Sequence, residues 1–389
     1  MNIIEKDKWN KTKFQDVVIN INKSVKDPLA LGINKSIGLE NINPNNLKIQ
    51  RFTDIEKEGT KFSKLFKKDQ FLFGSRRAYL RQMALADFDG VCTANIMVFD
   101  IKDPNKMIHG YLSMIIQSDL FVDYASRTSV GSLFPNAKWS SLANFNFPLP
   151  PLEEQKQIAS LFQSIETAME QVDGQEKNLK SLWLRLINDF VSDNPSFGNL
   201  IKEKKLQTVN YSDVTKKIMR RISPESYGIE KIIGGEHLNA EDFKIRTWDT
   251  VGIDPLGPAF HVLFQPGDIL YGSRRTYLKK VAFAEFEGVC ANTTYVIRAN
   301  EELLLQDLLK HIMLSERFTQ YSIGVSKGST NPYINWKDLD NFSFQIPDIE
   351  TQKEIVKVLD SIIEIREQLK QQKATLKNLK QKLLNEILG

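Results

Sequence analysis

The chain contains a copy of itself. Residues Leu72-Phe73-Gly74-Ser75-Arg76-Arg77-Ala78-Tyr79-Leu80 return as Leu270-Tyr271-Gly272-Ser273-Arg274-Arg275-Thr276-Tyr277-Leu278, and Ala86–Cys92 returns as Ala284–Cys290. Upstream, Ile37–Asn43 pairs with Ile233–Asn239. Downstream, Trp139 pairs with Trp336, and Phe145 and Phe147 pair with Phe342 and Phe344. The offset stays between 196 and 198 residues, about half of the 389-residue chain. A period that long is no solenoid unit, so each copy must be a domain-sized body.

Each copy carries the same pattern of elements. Alternating apolar runs bounded by turn residues predict strands over Gln70–Phe73, Tyr79–Ala86 and Val91–Phe99, with counterparts 198 residues on. A helical stretch follows, with Ile108, Tyr111, Leu112, Ile115 and Ile116 on one face and a counterpart over about Glu301–Tyr321. A last strand closes each body at Pro148–Pro151 or at Pro347. Strands mixed with helix make each copy an α+β domain.

Past those prolines the character changes. Residues 152–190 and 349–388 are polar, proline-free and periodic. Ile158, Ile165, Val172, Leu179 and Leu186 fall seven apart, as do Ile355, Ile362, Leu369, Leu376 and Leu383. With d positions at Leu161, Ala168 and Leu182, then at Val358, Ile365 and Leu379, each segment predicts a long coiled-coil helix. Such a helix would reach roughly 58 Å. Gln175 and Gln372 share one d position, where a polar residue would fix register, and Gly174 is a candidate kink. Antiparallel pairing suits a duplicated chain because it gives a pseudo-twofold relation. The alternative is that each helix packs on its own domain.

Composition narrows the class only a little. Lysine and arginine total 52 against 48 acidic residues, a net charge of +4, which permits nucleic-acid binding without requiring it. No run of eighteen apolar residues exists, and Met1–Lys6 lacks the apolar core of a signal peptide. With only Cys92 and Cys290 in the chain, a cytoplasmic protein without a membrane span is expected. The two cysteines fall on equivalent strand-like runs, as buried small hydrophobes would.

The doubled Gly-Ser-Arg-Arg is the best candidate for function. The guanidinium fork of Arg76, Arg77, Arg274 and Arg275 matches phosphate and the O6/N7 edge of guanine. Ser75 and Ser273 would add hydroxyl contacts. Tyr79, Arg81, Tyr277, Lys279 and Lys280 lie close by. Adjacent arginines on a strand would face opposite ways, one toward a base and one toward phosphate. The plainer reading is a basic surface turn. A second candidate is the loop Gly324–Asn331, whose Ser326, Lys327, Ser329, Thr330 and Asn331 suit a nucleic-acid backbone or base edge. Its counterpart ends in Leu133 and Phe134 instead. The histidines His109, His237, His261 and His311 show no zinc spacing, and no phosphate-cradling loop occurs. Asn331-Pro332-Tyr333 has one proline where an adenine methyltransferase motif has two. No catalytic residue, metal or cofactor is therefore expected.

The arrangement resembles the specificity subunit of type I restriction–modification systems over the entire chain. The residues that carry the likeness are Leu149-Pro-Pro-Leu-Glu-Glu-Gln-Lys-Gln-Ile158 and Ile346-Pro-Asp-Ile-Glu-Thr-Gln-Lys-Glu-Ile355, together with Gly328–Trp336 before the second of them. The stretch Gly131–Trp139 departs from that last pattern. The resemblance implies two target recognition domains, 1–148 and 199–346, joined by two antiparallel spacer helices, 149–198 and 347–389. Each domain would read one half of a split target in double-stranded DNA, and the helices would set a fixed spacer. It also implies recruitment of two modification subunits, which methylate adenine with S-adenosylmethionine, and of two motor–nuclease subunits. The specificity chain itself would be non-catalytic. The rival reading is a coiled-coil scaffold that binds protein. Because the arginine motif is shared and the later loop is not, the two half-sites should be related but not identical.

Overall fold

The computed structural model describes residues 6, 9–201, 204–254 and 257–388, so the expectation about the first residues falls almost wholly outside it. It divides into two compact units, Met1–Asp173 with Gln371–Gly389, and Gly174–Lys370. Each unit therefore takes a stretch of both long helices. Both mix helix and sheet as the α+β reading requires. Among the described residues no helix is long and apolar enough to cross a membrane.

In the first unit, one sheet runs in the order Val18–Ile21, Ile96–Ile101, Phe71–Gly74 and Met83–Leu85, all antiparallel. A second runs Thr53–Asp54, Lys35–Ile37, Gly90–Cys92 and Lys64–Phe66, with Lys35–Ile37 parallel to Gly90–Cys92. The strand Phe71–Gly74 reads as one apolar run because both of its faces are buried. Phe71 and Phe73 enter one core while Leu72 enters another. The second unit repeats this, with Ile269 and Tyr271 on one side and Leu270 on the other. Its sheets are Thr215–Ile218, Thr294–Ala299, Ile269–Gly272 and Val281–Phe283, and a five-stranded sheet built around Phe260–Phe264 and Gly288–Ala291. Each copy is closed by a two-stranded ribbon, Asn10–Lys13 with Asn146–Leu149 and Gln207–Asn210 with Ser343–Ile346.

Three expected elements change. The run 79–86 is a 3-10 turn at Ala78–Leu80 followed by a short strand at Met83–Leu85. The run 91–99 is two strands, Gly90–Cys92 and Ile96–Ile101, which belong to different sheets. The helical stretch is split in both copies, into His109–Gln117 and Asp119–Arg127, and into Gln306–Ile312 and Glu316–Gly324. A serine makes each break. Ser118 accepts the Phe121 N–H at 3.1 Å and Ser315 accepts the Phe318 N–H at 3.2 Å, so each caps a new helix rather than continuing the old one. Cys92 and Cys290 are buried and unbonded to each other, and burial pushes both thiols up to about 12.

The long helices run Leu152–Phe190 and Ile349–Leu388. Within the first unit Glu166 pairs with Lys380 and Asp173 with Lys373, and within the second Glu176 pairs with Arg366 at 2.8 Å, so the stretches in each unit run antiparallel. The seam differs from the expected one. Leu161, Val358, Ile365 and Leu379 are exposed, and so are Gln175 and Gln372. The inward positions lie four residues after the leading residue of each heptad rather than three: Phe162 and Trp183 on the first helix, Leu359, Arg366 and Ile387 on the second, with Glu176 half-buried against Arg366. A seven-residue repeat holds for either choice. The larger rings of Phe162 and Trp183 remove more apolar surface from water than Leu161 and Leu182 can, so they take the inside.

The glutamines of the two helix openings have a structural task. Gln155 is fully buried; its Nε2 donates to the carbonyls of Lys106 and Pro150 at 2.8 Å each, and its Oε1 accepts the Ile108 N–H at 3.1 Å. Gln352 repeats the clamp, donating to Leu303 at 2.8 Å and Pro347 at 3.0 Å and accepting the Leu305 N–H at 3.0 Å. One side chain thus satisfies three buried backbone groups where helix, loop and closing strand meet. Replacing Gln352 by Leu strands all three, at about 1–3 kcal/mol each before relaxation. We predict a loss of at least about 2 kcal/mol in urea unfolding of the Gln352→Leu chain. An unchanged midpoint would refute the clamp.

A second polar node is specific to the second unit. His311 is fully buried; its Nδ1 accepts the Trp183 indole N–H at 3.0 Å, which leaves Nε2–H to donate to Asp360 at 2.9 Å. Burial holds its pKa below the usual 6.5, although the Asp360 hydrogen bond pulls the other way. The unfolded chain therefore takes up a proton near 6.5 that the folded chain resists. Its contribution is intact above that pH and is lost as the pH falls below it. Glutamine offers the same acceptor and donor without titrating. From pH 7 to pH 5 the melting temperature of the wild type should fall further than that of His311→Gln, and parallel curves would contradict the assignment.

Candidate nucleic-acid interface

The arginine pair sits on a turn, not on a strand. Strand Phe71–Gly74 ends one residue before Ser75, and Arg77 then adopts φ 55° and ψ 57°, left-handed for a residue with a Cβ. Arg275 repeats this at φ 51° and ψ 56°. The expectation of two arginines on opposite strand faces is therefore corrected. The left-handed residue reverses the chain and opens a 3-10 turn at Ala78–Leu80 or Thr276–Leu278. Arg81 and Lys279 close that turn, again with positive φ. Non-glycine residues held left-handed at the same two places of both copies are strained positions, which concentrate at functional sites.

The structure brings the two candidate segments together in each copy. In the second unit the Arg275 N–H donates to the Pro332 carbonyl at 2.7 Å and the Ile334 N–H to Ser273 at 2.9 Å, while Lys327 and Tyr333 exchange bonds of 2.8 and 2.9 Å. In the first unit Arg77 donates to Pro135 at 2.7 Å, Ala137 to Ser75 at 2.8 Å, and Val130 exchanges two 3.0 Å bonds with Asn136. Gly131 and Gly328 turn the loop in equivalent places, with φ of 108° and 86°. The loop is thus locked to the arginine turn by backbone alone, whatever side chains it carries.

Several expected contact residues are occupied. Ser75 and Ser273 are buried and donate to the carbonyls of Asn95 at 2.8 Å and Thr293 at 2.5 Å, so their hydroxyls anchor the turn instead of facing a ligand. Ser326 donates to Ser322 at 2.7 Å, a helix-end bond. Arg81 is paired with Asp119, and Lys279 with Glu316 at 2.8 Å, where the Gln320 amide and the Lys279 ammonium hold the Glu316 carboxyl below its usual range. Lys280 donates to the Gly235 carbonyl. Lys327 lies 3.0 Å from Asp338. Charge held in such pairs fixes the turn rather than reaching outward.

What faces solvent is narrower. Tyr79 and Tyr277 are exposed, as are Arg274, Arg275, Ser329, Thr330 and Asn331. Arg275 Nε donates to Asn331 Oδ1 at 3.2 Å, an aligned pair of polar side chains at the tip. In the first unit Arg76 and Arg77 are half-buried, with guanidinium carbons 4.1 and 4.8 Å from the centre of the Phe134 ring. The repeat aligns Phe134 with Asn331, but its sequence showed only a less polar counterpart and not a ring facing both arginines.

One group of possible metal donors stands outside this surface, Glu236, His237 and Asp249. His237 Nδ1 accepts the Gly234 N–H at 2.9 Å, so the ring hydrogen sits on Nε2, facing Asp249 at 3.5 Å. Asn41 makes the same bond in the other copy, accepting the Gly38 N–H at 2.7 Å. A histidine that replaces a turn-capping asparagine is accounted for without an ion.

A repeated α+β domain with a long helix after each copy, and an arginine turn locked to a loop, describes a duplicated recognition protein. Comparison with known proteins agrees. The family model described as type I restriction modification DNA specificity domain matches twice, over residues 3–180 and 201–378. The chain belongs to that family and carries its domain in two copies. It is 25% identical over 293 residues to the EcoDI specificity subunit of a type I restriction enzyme from Escherichia coli, covering 65% of this chain. It is 23% identical over 314 residues to the MjaVIII specificity subunit from Methanocaldococcus jannaschii, covering 70% of this chain. The chain spans 64% of the first relative's length and 70% of the second's. Among solved structures it shares its fold with the S subunit of a type I restriction–modification system from M. genitalium, with a TM-score of 0.60 at 12% identity over 100% of this chain and 98% of that one. It shares it also with a chain from a study of complex assembly and conformational transition of a type I R-M system, with a TM-score of 0.59 at 19% identity over 97% of each.

If Arg275 serves a ligand and not the fold, its side chain is dispensable for stability. Glycine relieves the left-handed cost of about 1–2 kcal/mol, partly offset by a freer unfolded chain. The Arg275→Gly chain should thus be as stable as the wild type or up to about 1 kcal/mol more so by urea unfolding. A clear loss of stability would make the guanidinium a structural group.

Proposed function

We propose that this chain is the DNA-reading, non-catalytic component of a type I restriction–modification complex in the cytoplasm. One target recognition domain, 1–148 or 199–346, reads each half of a split sequence in double-stranded DNA. The helical regions 149–198 and 347–389 set the spacer. The chain recruits two modification subunits that methylate adenine and two motor–nuclease subunits. Arg76, Arg77, Tyr79, Arg274, Arg275, Tyr277, Ser329, Thr330 and Asn331 make the DNA contacts. Lys280, which donates to a backbone carbonyl, contributes field from the rim.

The observation that carries this reading is the arginine turn built twice, at equivalent places, on the same backbone lock. Two guanidinium groups per domain suit phosphate and guanine alike, and exposed tyrosines beside them suit the sugar–phosphate chain. A protein-binding scaffold would not need the same strained turn in both copies. Family membership supports the same choice.

The test is co-expression with a modification subunit, followed by sequencing of methylated adenines. Two short half-sites at a fixed separation are expected. Replacing Arg274 and Arg275 together by Ala should abolish modification at the split site without lowering the melting temperature. Binding of the wild type should also weaken steeply with salt, and the double variant should lose about one unit of log–log slope for each phosphate contact removed. Full methylation by the double variant, or a salt-independent interaction, would reject the reading.

A further inference from the structure

The two loops share a backbone and differ in chemistry at the tip. In the second unit the tip is polar, Thr330 and Asn331, with Asn331 aligned by Arg275 Nε at 3.2 Å. In the first the same positions are Leu133 and Phe134. Leu133 is 76% exposed, Val130 56% and Phe134 44%, so three apolar side chains crowd one short exposed loop. Scattered exposed apolar residues need no explanation, but a cluster does. This cluster is tied to the arginine turn, with both guanidinium groups over the single Phe134 ring. Arg77 Nε, the equivalent of the atom that holds Asn331, is buried without a partner among the described residues. The ring has taken the place of the amide and offers the arginines its face instead of an oxygen.

Only a few features of a base pair are apolar. On the major-groove edge the one such group is the 5-methyl of thymine, and apolar side chains are what reads it. A polar tip such as Thr330–Asn331 instead suits hydrogen bonding to a base edge. We propose that the two domains discriminate by different chemistry at this one equivalent position: Leu133 and Phe134 pack on a thymine methyl in the first half-site, and Asn331 hydrogen-bonds a base edge in the second. The inference rests on the DNA-reading function proposed above and names which residues make the half-sites differ.

The test uses the full chain with its modification subunit on duplexes carrying the target found by methylation sequencing. Each thymine is replaced in turn by deoxyuridine, which removes only the methyl. At one position of the first half-site, binding should weaken about threefold to fivefold, the worth of one buried methyl. No deoxyuridine in the second half-site should match it. In the double variant Leu133→Thr, Phe134→Asn that sensitivity should vanish, and the first half-site's preferred base should shift toward the one selected by the second domain. Unchanged selection of the second half-site in the same assay shows that the variant is folded. Insensitivity of the wild type to every deoxyuridine in the first half-site overturns the proposal, as does a first half-site without thymine on either strand. A variant that keeps its base preference but sheds the modification subunit also overturns it, making the patch a protein contact. Failure of the DNA-reading function itself is a separate result, in which the wild type modifies no split site.

Discussion

Each copy's core is completed by the end of the long helix that follows the other copy in sequence. In the first unit Leu384, Ile387 and Leu388, the last turns of the second long helix, are buried in the cluster that holds Phe14, Phe73 and Phe121. In the second unit Trp183, Ile187, Phe190 and Val191 close the cluster of Tyr211, Leu309 and Phe318. Fully burying an aromatic of that kind is worth several kcal/mol, since truncating it costs about 3–5. Each helix is therefore fixed where it begins, by its buried glutamine, and where it ends, by the core it completes. The antiparallel course within each unit follows from this, and with it the placing of Glu176 beside Arg366 and Glu166 beside Lys380.

The site depends on that rigidity at one remove. The helix Glu316–Gly324, whose first turn holds Lys279, rests on the core that Trp183 and its neighbours complete. In the first unit Arg81 is held by Asp119 at the start of the corresponding helix. Two left-handed residues would not persist in a loose loop, because each would relax to an ordinary conformation. Here the turn is fixed by a buried serine, by a carbonyl bond to the loop and by an ion pair to the helix. What stays exposed is a small set of arginine, tyrosine and loop-tip side chains.

Much of this could be read from residues in order. The repeat, the α+β character of each copy and the long polar helices are all local or periodic signals. The errors share one cause. The choice of Leu161 over Phe162 for the seam, of a strand for the arginine pair and of exposed hydroxyls for Ser75 and Ser273 each needed knowledge of a neighbour far along the chain. Heptad counting cannot tell an inward position three residues on from one four residues on. A serine beside arginines looks like a ligand contact until the carbonyl of Asn95 or Thr293 is placed beside it. The amphipathic run reads straight through Ser118 and Ser315, which the fold uses to cap the second helix of each pair.

The sequence by itself determined that the protein is built twice and that each copy ends in a long helix, because repetition and hydrophobic period are properties of order alone. It also determined which residue types stand at the candidate surface. Only the tertiary structure decided which of them face outward, since burial, ion pairing and the left-handed turn arise from contacts among residues distant in sequence. Arg81 and Lys279 became anchors because Asp119 and Glu316 lie against them. Phe134, where the second copy has Asn331, became part of the surface because its ring lies under two arginines.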